Sequence, residues 1–268
     1  MPVLSQTSGP VLWSVDARGI ATVTLNRPEV NNAYNGELIA GLLAALDALG
    51  SAAGLRAVVI KGNGRHFQAG ADLKWIDTVR TSSPEENVRA SRATAEAVQR
   101  LNLALVPTIA LVQGGCFGGG TGLVAACDVV IAADNATFSI AEVRWGLTAA
   151  IIVPQLNDAT GVRQMRRYAL TGERFNAEEA RRIGLVHEVV PFAELEAAGA
   201  RVVGHVLANG SHAIAETKAL ALQQAFGDLS ETAFTRLIES HAAKRQSPEA
   251  AEGLASFKEK RAANWTPK

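Results

Sequence analysis

Six glycines fall within the nine residues from Gly114 to Gly122, in the run Val112-Gln113-Gly114-Gly115-Cys116-Phe117-Gly118-Gly119-Gly120-Thr121-Gly122-Leu123. The apolar segment 107–112 reads as a strand entering this run, and a helix of small residues leaves it, ending at Ala126. Glycine lets the backbone turn sharply and lets a ligand approach bare N–H groups. The first turn of the following helix carries unpaired N–H groups and a partial positive charge. That combination suits an anionic oxygen that develops only during a reaction, although a packing turn alone would accommodate the same glycines. A second glycine turn, Ala69-Gly70-Ala71-Asp72, and a downstream carboxylate, Glu142, favour the reading as a site.

The rest of the composition fits a folded enzyme-sized unit. With 268 residues, 48% of them hydrophobic and 19% charged, the chain can bury a large core as one domain, or as one domain with a smaller helical appendage. Lys plus Arg and Asp plus Glu number 26 each, so there is no general attraction to nucleic acid or an acidic membrane. A local phosphate site stays compatible with that balance. The first ten residues have neither a basic start nor an apolar core, so no signal peptide is expected. No apolar run reaches the roughly 18 residues of a membrane span. Cys116 and Cys127, the only two cysteines, sit in apolar, glycine-rich surroundings. They read as reduced, buried thiols of a cytoplasmic protein.

The pattern of elements changes along the chain. Residues 11–16 and 20–26 predict a hairpin, Asn35 caps a helix to about residue 49, and 56–61 reads as a buried strand before a loop over 62–70. Ser83-Pro84-Glu85-Glu86 opens a long helix that ends before Pro107, and 128–132 predicts another strand after the glycine-rich turn and its helix. Strands separated by helices imply parallel pairing with right-handed crossovers. From residue 192 the pattern is helical only, over 192–207, 211–225, 230–244 and 248–261.

Several site types are excluded by pattern. No G-x-x-x-x-G-K-[ST], G-x-G-x-x-G or G-x-S-x-G motif occurs, which argues against nucleotide loops and a serine nucleophile. The five histidines, His66, His187, His205, His212 and His241, are scattered without metal-binding spacing and read as loop or surface residues, so no metal is expected. Trp75, Trp145 and Trp265 read as packing anchors, since no basic stripe accompanies them.

Taken in order, the motifs carry a family resemblance. They are Asn26-Arg27-Pro28, Phe67-Gln68-Ala69-Gly70-Ala71-Asp72-Leu73, Phe117-Gly118-Gly119-Gly120, Cys127-Asp128, and Phe138 with Glu142 and Gly146-Leu147 behind it. Leu170-Thr171-Gly172, Gly184-Leu185-Val186 and Phe257-Lys258-Glu259-Lys260-Arg261 extend the series. Over nearly its whole length the chain resembles the enoyl-CoA hydratase/isomerase (crotonase) family. The resemblance implies an α/β fold: a crotonase-like spiral of β-β-α turns over 1–191 carrying the CoA and catalytic site, and a C-terminal helical trimerisation region over 192–268. It implies a homotrimer or dimer of trimers acting on an acyl-CoA substrate, with coenzyme A as part of that substrate and no separate cofactor. It also implies that the backbone N–H groups of Ala71 and Gly119 hold the thioester oxygen as it becomes an enolate, and that Glu142 moves protons. Ala69, Gly70, Asp72, Leu73, Lys74, Gly118 and Gly122 would lie along the substrate. Arg27, Lys74 and Lys260 would reach the CoA phosphates.

Two departures bear on the reaction. Family hydratases carry one glutamate just after the glycine turn and a second about twenty residues on. Here Glu142 matches the second, while Gly122 stands in the place of the first. In addition Thr148-Ala149-Ala150-Ile151-Ile152-Val153-Pro154 replaces the usual proline and Gly-Gly-Thr run, which would reshape the acyl pocket. Three readings follow. One is an enoyl-CoA hydratase resembling those that act on glutaconyl-type thioesters in leucine or terpene catabolism, with Arg144 a candidate partner for the substrate acid. The second is a double-bond isomerase with Glu142 as sole acid and base. The third is a non-catalytic acyl-CoA-binding member. If the pocket keeps hydratase geometry, Gly122→Glu is expected to raise crotonyl-CoA hydration.

Overall fold

The computed structural model describes residues 5–225 and 230–263. Strands β1 (Ser5–Gln6), β2 (Val11–Val15) and β3 (Ile20–Leu25) form an antiparallel meander. Asp16 closes its second turn by accepting at its backbone oxygen from Gly19 N (3.0 Å), where Gly19 takes φ +80°. Helix α1 (Gly36–Gly50), capped by Asn35 accepting from Leu38 N, leads to β4 (Ala57–Gly62), which pairs parallel with β3. Helices α2 (Leu73–Arg80) and α3 (Pro84–Asn102) follow, then β5 (Thr108–Val112), β6 (Gly115–Phe117) and α4 (Gly119–Ala125). Next come β7 (Val129–Ala133), β8 (Thr137–Ser139), α5 (Val153–Thr171, broken at Gly161), β9 (Phe175–Asn176), α6 (Ala177–Arg182) and β10 (Glu188–Val190).

The large sheet has the order β1-β2-β3-β4-β5-β7-β10, parallel from β3 onward. Side chains of its central strands divide by period two. Val23, Val58, Ile60, Ala110, Val112 and Val130 face the main core shared with α1 and α3, whereas Val59, Ile109, Leu111 and Ile131 face the opposite side. Both faces are covered, which is why these strands read as unbroken apolar runs.

A second sheet, β6-β8-β9, stands beside the first. β6 pairs parallel with β8, matching Cys116 with Phe138, and an isolated parallel bridge matches Gln68 with Cys116. Gln68, Cys116 and Phe138 therefore form one row across three successive turns of chain, each turn being a strand of the large sheet, a residue or strand of the small one, and then a helix or 3-10 turn. Three residues beyond the row lie Ala71, Gly119 and Ala141, followed by Glu142 on a 3-10 turn, Glu142–Trp145.

After β10 only helices follow among the described residues: α7 (Leu195–Leu207), α8 (Ser211–Ala225), α9 (Glu231–Arg245) and α10 (Pro248–Lys258). α7 covers the second face of the large sheet through Leu195, Ala198 and Val203, and residues 192–194 form a 3-10 turn rather than its first turn. Phe234 and Ile238 of α9 belong to the main core, so this C-terminal helix shares its packing with the spiral. α10 ends at Lys258, short of the expected residue 261, and Lys260 takes φ +53°. Helix α5 and the short β6, β8 and β9 carry no counterpart among the sequence-based expectations.

α10 docks directly on the turn that bears Glu142. A Cβ at Gly253 would stand 2.4 Å from the Trp145 carbonyl, and one at Gly146, where φ is +67°, 2.4 Å from the Glu249 oxygen. The two backbones meet because these positions lack side chains, and Trp145 seals the contact edge-on against Phe257 at 4.5 Å. Gly253→Ala is expected to push α10 off this turn and destabilise the protein by about 1–3 kcal/mol, measured by urea denaturation.

Candidate active site

Ala71 sits where two segments cross. Tyr34 N donates to Gly70 O (2.9 Å) and Asp72 N to Tyr34 O (2.8 Å), a parallel bridge that turns the N–H of Ala71 itself away from Tyr34. The neighbouring Gly70 N is taken by the buried Gln68 side chain at 3.1 Å. Asp72 caps α2 by accepting from Lys74 N (3.0 Å) and pairs with Arg27 at 3.2 Å, and Arg27 also donates to Ala33 O. Arg27 and Asp72 thus pin the crossing that presents Ala71.

Gly119 opens α4. Gly118 before it has φ +51° and donates to Ser139 O at 2.9 Å, which fixes the turn. Thr121, fully buried, returns both its N–H and its hydroxyl to Gly118 O. As the first helical residue Gly119 has no intrahelical acceptor. Among the described residues, neither Ala71 N nor Gly119 N has a protein acceptor. A Cβ at Gly119 would lie 2.7 Å from the Tyr34 ring, so that ring packs flush on the turn.

Glu142 faces both. Its Oε1 lies 3.1 Å from where a Gly118 Cβ would stand, and its Oε2 is buried without a hydrogen-bond partner. Burial pushes its carboxyl up to about 7, offset in part by a hydrogen bond from its own backbone N–H. Ala69, Gly70, Ala71, Leu73, Gly118, Gly119 and Glu142 all line one cavity of about 250 Å³. Among the described residues Glu142 is the sole acid on that lining, whereas Arg144, Arg174 and Arg245 bring three guanidinium groups. None of these three forms an ion pair among the described residues. A larger, shallower depression of about 910 Å³ beside α4 and α8 has its lysine and one of its acids paired, Lys218 to Asp128 at 2.7 Å.

Five of the residues expected at the substrate lie off this lining. Arg27 and Asp72 are committed to each other and to the backbone, as above. Lys74 and Lys260 are exposed beyond the lining. Gly122 is buried in α4 against Ile152, whose Cγ2 would lie 2.1 Å from a Cβ at position 122. The space that a glutamate would fill there is taken by an isoleucine of the altered 148–154 segment. Residues that sequence reasoning missed also line the cavity: Tyr34, His241 and Arg245. His241 is buried with Nδ1 3.1 Å from Ser91 Oγ, rather than at the surface. Trp75 stands edge-on to Tyr34 at 5.6 Å, while Trp265 lies outside the described residues. Both cysteines are free and buried. Among the described residues, no helix is long and apolar enough to cross a membrane, and no group of three His, Cys, Asp or Glu side chains is placed to hold a metal ion.

The sequence matches the family model described as enoyl-CoA hydratase/isomerase over residues 16–268. The chain belongs to that family. A mevalonyl-coenzyme A hydratase of Aspergillus fumigatus is 33% identical over 256 residues, spanning 92% of each chain. A hydroxycinnamoyl-CoA hydratase-lyase of Pseudomonas fluorescens is 38% identical over 180 residues, 66% of this chain and 65% of the relative. Among solved structures, an enoyl-CoA hydratase from Mycobacterium avium superposes with a TM-score of 0.86 at 32% identity, covering 97% of this chain and 100% of that one. The mixed α/β spiral with C-terminal helices is accordingly the crotonase fold.

Two outcomes follow for this enoyl-CoA hydratase/isomerase family member. Glu142 keeps in the native state a proton that the unfolded chain releases, so its ionisation costs stability as pH rises from the ordinary 4.5 through about 7. Glu142→Gln is expected to stabilise the protein by about 1–3 kcal/mol at pH 8, and far less at pH 4.5, in paired urea titrations. Gly122→Glu, against the expectation from sequence, should leave crotonyl-CoA hydration unimproved. Its Cβ overlaps Ile152, and the melting temperature should fall by the equivalent of about 3 kcal/mol or more.

Proposed function

We propose that the protein is an enoyl-CoA hydratase in which a single carboxylate, Glu142, serves first as base and then as acid. The observation that carries this reading is the presence on one cavity lining of Ala71 and Gly119, whose main-chain N–H groups have no acceptor among the described residues, and of Glu142, whose buried Oε2 has no partner. The thioester oxygen accepts from both N–H groups. Ionised Glu142 takes a proton from water as the water oxygen bonds to the β-carbon, and the double-bond electrons move onto the thioester oxygen. Two fixed dipoles meet that charge without reorganising, and one such donor is typically worth a factor of about 10²–10³ in rate. Glu142 then returns its proton to the α-carbon as the enolate collapses. Because one group serves both carbons, both new bonds form on the same face. A carboxyl poised at about 7 is matched to giving and taking a proton near neutrality.

The absence of a second acid from the lining favours one other reading, a double-bond isomerase in which Glu142 carries a proton between two carbons of the substrate. We further infer a glutaconyl-type acyl group, because three guanidinium groups without acidic partners surround the cavity, with Arg144 and Arg174 exposed. The homotrimer or dimer of trimers implied by the resemblance is part of the same proposal.

Assays of a panel of 2-enoyl- and 3-enoyl-CoA thioesters should show water addition, with kcat/KM rising with pH through about 7 as Glu142 ionises. Glu142→Gln should lower kcat by about a hundredfold or more. Double-bond migration without water addition would replace the hydratase by the isomerase, and no turnover of any thioester would refute both.

A further inference from the structure

Helix α9 carries a charge on its buried face. Phe234, Ile238, His241, Ala242 and Arg245 fall at helical spacing and all are buried, Arg245 at 1% exposure. The stripe ends in a guanidinium at the cavity wall. Its Nη2 donates to Asn87 O (3.1 Å) and to Ser91 Oγ, while Nε and Nη1 are buried with no partner. No carboxylate among the described residues lies within ion-pair distance. The guanidinium carbon stands 5.7 Å from the centre of the Trp75 ring, which supplies a face but no counter-charge.

A buried cation is tolerated when an anion or a full set of acceptors accompanies it, and here neither does. Its polar neighbours do not supply the charge. Burial holds His241 neutral, down at about 3, and pushes the Tyr34 hydroxyl up to about 12. Burial also lowers Arg245 to about 10, which leaves it charged at neutral pH. Arg245 lines the same cavity as Glu142, Ala71 and Gly119. A CoA phosphate, strongly hydrated, fits the exposed Arg144 and Arg174 better than a guanidinium with 1% exposure.

We propose that Arg245 anchors a carboxylate at the far end of the acyl chain and so makes the protein selective for carboxylated acyl-CoA thioesters. This rests on the reading of the cavity as an acyl-CoA site. The guanidinium presents donors to the planar acid, and an apolar chain of the same shape leaves the cation buried and unpaired. Selectivity then arises as much from rejection of the neutral chain as from attraction of the acid.

The test uses saturated ligands, so it is independent of turnover. Glutaryl-CoA, 5-methylhexanoyl-CoA (an isopropyl group in place of the carboxylate) and CoA alone are titrated calorimetrically into the wild type, Arg245→Met and Arg245→Lys. The wild type should prefer glutaryl-CoA over the isopropyl analogue by about thirtyfold or more. Arg245→Met should abolish that preference while binding CoA as the wild type does. Arg245→Lys, which keeps the charge without the planar fork, should lose part of the preference and carries the comparison if the Met variant fails to fold by circular dichroism. Equal wild-type affinity for the two thioesters, an unchanged preference in the variants, or parallel weakening of all three ligands would overturn the proposal. If none of the three binds the wild type, the acyl-CoA reading itself fails.

Discussion

The site depends on one row of parallel backbone pairing. Gln68 N donates to Gly115 O (3.1 Å), Phe117 N to Gln68 O (2.9 Å) and Gly118 N to Ser139 O (2.9 Å), which locks three successive turns of the spiral in register. Because register in a sheet determines what each residue faces, the segments leaving Gln68, Cys116 and Phe138 arrive at the same level. Ala71 and Gly119 occupy equivalent places in adjacent turns, and Glu142 falls one residue past the third. A slip of one residue in any of the three would turn an amide or the carboxylate out of the cavity. The repeat of the fold, rather than any single loop, brings these groups together.

The row also governs which amides are left free. Hydrogen bonds that hold the turns together consume the N–H groups of Gly70, Asp72 and Gly118, the neighbours of the two that matter. Buried backbone donors without partners are rare because each costs free energy. Ala71 and Gly119, both beside glycines, are only half-buried at the cavity, so their N–H groups stay open to an acceptor from outside the chain. Gly118 is required twice over, since φ +51° combined with ψ −123° suits glycine alone and any side chain there would press on the Glu142 carboxylate.

Much of this was legible in the sequence. The glycine run, the Ala69–Asp72 turn and Glu142 were visible as motifs, and the strand-helix alternation pointed to a parallel sheet. Less legible were contacts that couple distant segments. Gly122 in place of a glutamate looks like a vacancy in one dimension, and only packing shows Ile152 occupying it, so the two departures from the family pattern are one substitution in space. The resemblance places Arg27 and Asp72 along the substrate, whereas in the structure they pair with each other. Strands β6, β8 and β9, of two or three residues, are too short to show a period. Arg245 did leave a signal: it continues the apolar stripe of α9 at positions where a surface arginine would break it.

Buried polar atoms without a hydrogen-bond partner occur at several points among the described residues, at Arg56, Thr148, Gln155 and Asn157 as well as at Glu142 and Arg245, but charged groups of both signs meet at only one of them. A carboxylate oxygen without a partner, a guanidinium without a counter-ion and two residues whose amides lack acceptors line a cavity of about 250 Å³. Elsewhere several charged side chains are paired: Lys218 with Asp128, Lys258 with Asp77 and Arg201 with Glu188. On the proposed reading, what this cavity lacks in the folded chain alone is a molecule that offers one oxygen to the amides, exchanges a proton with Glu142 and brings an anion to Arg245.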